Sequence, residues 1–296
     1  MVRWDPKANY KFGFGCGYYL DGIRRVVSKG EFVERPVNVE KYQATMYNAV
    51  SFMVRCLAEA KETAPFFIID DASPVKMDVE RLIELTAPHP FLYLPLPENG
   101  GCGNKENIIQ HVLSKRCQYV LRWDSDVTLD KLSLGDVEVA FKKMPDAWAI
   151  TSCITYFARM DASRLPPGQH HFAGSNIADF VAYRSDAFKK IGYSDPDLRV
   201  NEDGDLRLRA IAKVGLKCYV DRRITGKAIP SGANVNVVDR APIGEYIAKT
   251  RPFIRVVFPK RGAFRLVHNE KATATAKHFY IGPSPLAEKL SEKVWA

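Results

Sequence analysis

Apolar positions in this chain recur with a period of two in some stretches and near 3.6 in others, and the switches between them mark its elements. In KFGFGCGYYLDG, residues 11–22, Phe12, Phe14, Cys16 and Tyr18 alternate with Gly13, Gly15 and Gly17. That alternation predicts a strand over about 11–19 with one apolar and one bare face. A bare face admits something close, a packed helix or a flat ligand. A phosphate loop is not indicated: the spacing lacks the last step of G-x-G-x-x-G, no helix pattern opens behind it, and no G-K-[ST] is present. Residues 22–37 read as a loop. Ala44, Tyr47, Val50, Val54, Leu57 and Ala58 then predict a helix over about 40–62. FFIID (66–70) is a short, wholly apolar run of the kind buried in a parallel sheet. A helix near 77–86, a strand in FLYLPL, a helix in NKENIIQHVLSKR and a strand in QYVLRW (118–123) follow. Beyond them come strands over 147–157 and 176–184, a helix over 203–214, and strands in KCYVD and RRITGKAI. Past about 234 the pattern weakens into basic, aromatic, strand-like PFIRVVFPKR and AFRLVH, before a closing helix in PLAEKLSEKVW. Alternating strands and helices predict an α/β fold with a mostly parallel central sheet flanked by helices.

Composition adds bounds. The 296 residues are 46% hydrophobic and 26% charged, enough for one large domain or two small ones. No apolar run reaches the roughly 20 residues of a membrane span, and MVRWDPKANYKF lacks the apolar core of a signal peptide. The expectation is a soluble, cytoplasmic protein without a membrane span. The six cysteines form no C-x-x-C pair, which argues against zinc and for reduced core thiols. The net charge of +9 is concentrated: residues 221–296 hold 14 Lys and Arg against 6 Asp and Glu, a local +8. This is either a solvated basic face or a surface for an anionic partner.

Two acidic clusters end predicted parallel strands, where open α/β sheets bind ligands. Asp70 and Asp71 follow FFII; Asp124 and Asp126 follow YVLRW in D-S-D. Carboxylates two residues apart can share a hard divalent cation, Mn²⁺ or Mg²⁺, and leave positions open for phosphates. An isolated D-S-D is also an ordinary Asp-rich turn.

The order IIDDASP, ENGGCGNKEN, LRWDSD, NEDGDLRLR resembles the family 2 glycosyltransferases of the GT-A fold over roughly residues 10–220. V-D-D-x-S matches Ile69 to Ser73. N-x-G-x-x-x-A-R-N matches Asn99, Gly101 and Asn107, with Lys105-Glu106 in place of Ala-Arg. D-x-D is Asp124 and Asp126, and E-D-x-D-L-x-x-R is Glu202, Asp203, Asp205, Leu206 and Arg209. The resemblance implies a GT-A nucleotide-diphospho-sugar transferase domain over 1–230. Residues 231–296 are then a basic extension packed on that core, a candidate acceptor-binding region. It implies a metal-dependent, inverting transfer from a nucleotide sugar, a UDP-sugar first among them. Asp203 would be the general base and Asp126 the direct metal ligand, with Asp124 beside it and His268 as a third ligand. Tyr18, Asp71, Asn99, Gly101, Asn107, Asp124 and Arg209 would contact the donor, with Asp71 on the nucleobase. Arg207 and Arg209 either touch phosphate or pair with acids. His170 and His171 fall in a loop facing the acceptor, or are structural. Beside this resemblance, the glycines of residues 13–17 become a packing or access feature.

The basic C-terminal quarter, with Phe253, Phe258 and Phe264 among its cations, suits phosphate contact and base stacking. Combined with a transferase, it suggests DNA carrying hydroxymethylated pyrimidines as acceptor, a phage-type DNA modification that needs the base flipped out. A glycan or lipid-linked saccharide is the alternative acceptor. A sugar nucleotidyltransferase would share the topology but leaves E-D-x-D unexplained. A non-enzymatic nucleic-acid-binding protein leaves all four acidic motifs idle.

Overall fold

The computed structural model describes residues 4–28, 31–154, 170–172, 180–199, 202–228, 240–257, 265–269, 271 and 279–296. The chain opens with β1 (Tyr10–Tyr18), which pairs in parallel with β4 (Phe66–Asp70) on one side and β6 (Cys117–Trp123) on the other. The strand β5 (Phe91–Pro95) extends the parallel set beyond β4. Past β6 come β10 (Phe180–Arg184), β8 (Ala147–Ile154), β11 (Lys217–Ala228) and β7 (Val127–Lys131), while β9 (His170–Phe172) pairs with β11 off this path. β10 runs antiparallel to both β6 and β8, and β8 is parallel to β11. β5, β4, β1, β6, β8 and β11 therefore share one direction, and β7, β9 and β10 oppose it.

Three details depart from the sequence pattern. Residues 22–37 hold an antiparallel hairpin, β2 (Ile23–Ser28) with β3 (Glu31–Pro36), instead of a loop. Its Val26, Val27, Phe32 and Val33 have strand preferences that a loop reading overlooks. KCYVD and RRITGKAI form one strand, β11, with a register shift between Asp221 and Thr225 instead of a break. The expected strand over 176–184 is described only from Phe180, and that over 147–157 only to Ile154.

Both faces of the sheet are covered. α1 (Val39–Ala60), α2 (Val79–Thr86) and α4 (Leu134–Lys143) belong to the layer where Phe12, Phe14, Cys16, Tyr18, Leu121 and Trp123 are buried. α3 (Gly101–Ser114), α5 (Ser185–Ile191) and α6 (Glu202–Val214) cover the opposite face, around Phe67, Ile69, Val120 and Val181. β1 separates the two layers by residue parity. Its rings point to α1, and its glycines point to α3.

That bare glycine face is a helix seat. A Cβ on Gly13 would lie 2.5 Å from the Cys117 sulfur and 3.1 Å from Leu113; on Gly15, 2.2 Å from Ile109; on Gly17, 2.7 Å from Lys105. Lys105, Ile109 and Leu113 form one stripe of α3 at intervals of four. Four helical residues rise about 6.0 Å and two strand residues about 6.7 Å, so each glycine meets the next tooth of the helix. The bare face noted in the sequence is filled by side chains of this protein.

The last quarter joins this body. α7 (Arg240–Thr250), the hairpin of β12 (Ile254–Val257) and β13 (Arg265–His268), and α8 (Pro285–Trp295) follow β11. Ile247, Phe253 and Ile254 share a cluster with Leu198, Leu208 and Ala212. On α3, the carbonyl of Val112 accepts the Trp295 indole N–H at 2.8 Å. Leu266 of β13 lies 3.2 Å from the Cβ position of Gly204, one residue past Asp203.

Gly15→Ala should overpack the α3 seat and lower unfolding stability by about 1–3 kcal/mol. Gly135→Ala, whose Cβ would meet nothing closer than Ser133 at 3.8 Å, should be neutral or gain up to about 1 kcal/mol by helix propensity. Urea titrations of both check this; equal effects would refute the seat.

Candidate functional site

β6 ends in a change of environment. Along it Leu121 and Trp123 are buried towards α1, so the intervening Arg122 falls on the α3 side. Just beyond, Ser125 is buried and its hydroxyl bonds the Tyr42 hydroxyl of α1, while Asp124 and Asp126 stay partly exposed. The backbone turns there, with the Val127 N–H donating to the Asp124 carbonyl at 3.1 Å.

Arg122 is the centre of the polar cluster at this end. Its Nε donates to Glu106 of α3 at 2.5 Å, and its Nη2 lies 2.6 Å from Asp124 Oδ1. Glu202 and Asp203, the first residues of α6, lie within its electrostatic reach. Burial pushes the Glu202 carboxyl well up, and the neighbouring Asp203 adds to the shift. Burial also raises Asp203, against the Gly204 N–H at 2.6 Å and the charges of Arg122 and Arg207. Glu106 is raised by burial too, with Arg122 opposing. Three acids raised by burial thus surround one guanidinium.

Next to it, α3 begins at a turn that consumes its own anion site. Gly101 has φ +80°, a left-handed conformation suited to glycine, and Asn99 Oδ1 accepts its N–H at 3.1 Å. Asp71 accepts from the N–H groups of Gly100 at 2.8 Å and Gly101 at 3.2 Å, and pairs with Lys105 at 3.2 Å. The next two amides donate to the carbonyls of Arg199 and Leu198. Asp71, Asn99 and Gly101 thus build the entry to α3, and both Asp71 oxygens are engaged there. Lys105-Glu106, the departure from the Ala-Arg of the motif, forms two ion pairs, one with Asp71 and one with Arg122.

Three of the residues expected to contact the donor have their polar atoms engaged within the protein. Asn107 is fully buried; its Nδ2 donates to the carbonyls of Ser194 and Gly282, and its Oδ1 accepts from the Ser284 N–H. It ties α3 to the segment before α8 and has no face towards the site. Arg209 is fully buried, paired with Asp205 at 2.9 Å and donating to the carbonyls of Ile191 and Tyr193 at 2.7 Å. Arg251 pairs with the same Asp205 and with Asp195. This network joins α6 to the C-terminal quarter, so of the two readings of Arg209, pairing with acids is the one realised. Tyr18 is buried, its hydroxyl 2.9 Å from that of Tyr93, which donates to Asp70. Burial pushes Asp70 up, but bonds from Lys76, Ser73 and Tyr93 hold it below the ordinary carboxylate range. The backbone of His268 lies on β13 opposite Ile254, and those of His170 and His171 lie on β9. The side chains of all three fall outside the described residues.

The sequence reading assigned no role to Arg122, and it named Glu106 and Glu202 only as motif positions. Its overlooked signal was a cation inside the apolar run YVLRW together with a motif position bearing the opposite charge.

No protein-family model matches the sequence, and no curated protein does. Among solved structures, the mannosyltransferase PcManGT from Pyrobaculum calidifontis, in complex with GDP-Man and Mn²⁺, aligns over 99% of this chain and 76% of its own, at 14% identity and TM-score 0.55. GalNAc-T7 with UDP, GalNAc and Mn²⁺ aligns over 81% of this chain and 48% of its own, at 11% identity and TM-score 0.53. This chain has the GT-A fold. TarS 1–349 of S. aureus with UDP gives 17% identity and TM-score 0.48 over 74% of this chain. The chain spans less than two thirds of the length of TarS 1–349 and of GalNAc-T7. Within the GT-A fold, the acids of β6 and α6 meet at the carboxyl edge of the parallel strands. No helix among the described residues is long and apolar enough to cross a membrane.

Asn107→Ala should cost about 1–3 kcal/mol of stability by leaving the two carbonyls and the Ser284 N–H without their partner. At a temperature where the variant is folded, nucleotide affinity should change by less than about twofold. Calorimetric binding of UDP and GDP checks this; a selective tenfold loss would restore Asn107 to the donor site.

Proposed function

We propose that this protein is a nucleotide-sugar-dependent glycosyltransferase whose reaction centre lies between Asp124, Asp126 and Asp203. The observation that carries the reading is the meeting of Asp124 of D-S-D, 2.6 Å from Arg122, with Asp203 of α6, whose carboxyl burial raises and which feels the charges of both. The GT-A fold, the GDP-Man and Mn²⁺ of PcManGT and the UDP, GalNAc and Mn²⁺ of GalNAc-T7 support it.

The donor set fits a divalent cation. Asp124 and Asp126 are hard oxygen donors on one turn, both partly exposed. Mn²⁺ and Mg²⁺ are commonly held by one or two carboxylates, with positions left for phosphate. Such an ion, when bound, supplies Lewis-acid stabilisation of the departing diphosphate. Asp203 takes the proton of the acceptor hydroxyl, whose oxygen bonds to the anomeric carbon. The bond from that carbon to the diphosphate breaks, and its electron pair leaves with the nucleoside diphosphate. A single displacement of this kind inverts the anomeric centre. A raised carboxyl pKa brings Asp203 closer to the strength of a useful base.

The acceptor reading gains less. Of the basic residues counted in the last quarter, Arg251 is buried in ion pairs with Asp195 and Asp205, and Arg223 pairs with Asp136 and Asp221. Both are engaged in ion pairs, Arg251 buried and Arg223 partly exposed, so a DNA acceptor rests mainly on the remaining cations. A glycan or lipid-linked acceptor needs none of them.

The test is nucleoside-diphosphate release from a panel of UDP- and GDP-sugars with Mn²⁺, with hydroxymethylpyrimidine duplex DNA, plain duplex DNA or saccharide acceptors. Asp126→Ala and Asp203→Asn should each lower release by at least about 100-fold, the lower range for a lost general base. Turnover undiminished in both variants would overturn the reading. Dependence on hydroxymethylated DNA would select the DNA acceptor over the saccharide.

A further inference from the structure

The candidate cation site has a fixed cation already in its wall. Arg122 Nη2 stands 2.6 Å from Asp124 Oδ1, and its Nε is held by buried Glu106 at 2.5 Å. Its side chain is 14% exposed, so the guanidinium is screened far less than a surface charge. Lys105 is turned to Asp71, at 3.2 Å.

We infer that Arg122 is a built-in competitor for Asp124: it weakens the binding of a divalent ion alone, so that metal and nucleotide diphosphate bind as a pair. The inference rests on the reading of Asp124 and Asp126 as the cation site. A divalent ion on Asp124 sits within a few ångströms of the guanidinium, and the two repel. Even with water-like screening, a 2+ ion about 6 Å from a unit charge loses about tenfold in affinity. The diphosphate brings the negative charge that lets both cations remain. The Glu106–Arg122 pair sets the strength of this competition by holding the guanidinium in place. This gives the unusual Lys-Glu step of the motif a role beyond packing.

The experiment is Mn²⁺ binding by calorimetry and by the electron paramagnetic resonance of free Mn²⁺, without nucleotide and with UDP or GDP, alongside circular dichroism for folding. Arg122→Gln should bind Mn²⁺ alone at least about tenfold tighter than wild type, with the gain from added nucleotide reduced by the same factor. Arg122→Lys, which keeps the charge, should stay within about threefold of wild type. Because Arg122→Gln leaves Glu106 buried without its partner, the double variant Glu106→Gln/Arg122→Gln is compared with Glu106→Gln alone. The double should again bind Mn²⁺ tighter. A merely structural role for Arg122 predicts the opposite sign, weaker binding in every Arg122→Gln background. Unchanged or weaker Mn²⁺ affinity in folded variants, with binding still abolished by Asp126→Ala, overturns the inference and leaves the site reading intact. Failure of every variant and of wild type to bind Mn²⁺ through Asp126, with either nucleotide present, overturns both.

Discussion

The seating of α3 on the glycines of β1 is the contact on which the rest of this structure depends. Two periodicities, two residues of strand and four of helix, advance by nearly the same distance. With no Cβ at Gly13, Gly15 and Gly17, Leu113, Ile109 and Lys105 approach the strand backbone directly. The approach fixes the height of α3 above the sheet and its position along the strands. Its first turn then arrives at Asp71, its second presents Glu106 to Arg122, and its middle, through Asn107, reaches the segment leading to α8. A phosphate loop would have used the glycines for backbone donors; this chain uses them for depth.

The polar cluster follows from that placement. Once α3 is seated, Glu106 and Arg122 face each other across a distance set by the sheet. Asp124 is drawn to the other edge of the same guanidinium. α6 delivers Glu202 and Asp203 to the same end, where burial raises both. An acid excess in a partly dry place is costly in isolation, and the Arg122 guanidinium offsets part of that cost.

The C-terminal quarter is bound to α6 more than its composition suggests. Arg251 and Arg209 share Asp205 in a buried network, and Arg251 reaches Asp195 before α6. Breaking one member of such a network leaves a buried charge uncompensated. The segment that reads as a basic surface is therefore partly internal framework, and one of its cations, Arg251, holds α6 in position.

The sequence by itself determined the α/β alternation, the strands ending in Asp70-Asp71 and Asp124-Ser125-Asp126, and the helix opening at Glu202, because period and strand-end acids are local properties. It also held the four-motif order that resembles the GT-A transferases. It could not separate residues that touch a ligand from those that hold the frame. Asn107, Arg209 and Tyr18 carry the right chemistry for a site, yet their polar atoms are occupied by carbonyls and a tyrosine from other elements and, for Arg209, by Asp205 one helical turn away. Arg122 stood unnoticed in an apolar strand until α3 and α6 closed on it. Which charges meet depends on the depth and direction of packing between elements far apart in the chain, and only the tertiary structure decides that.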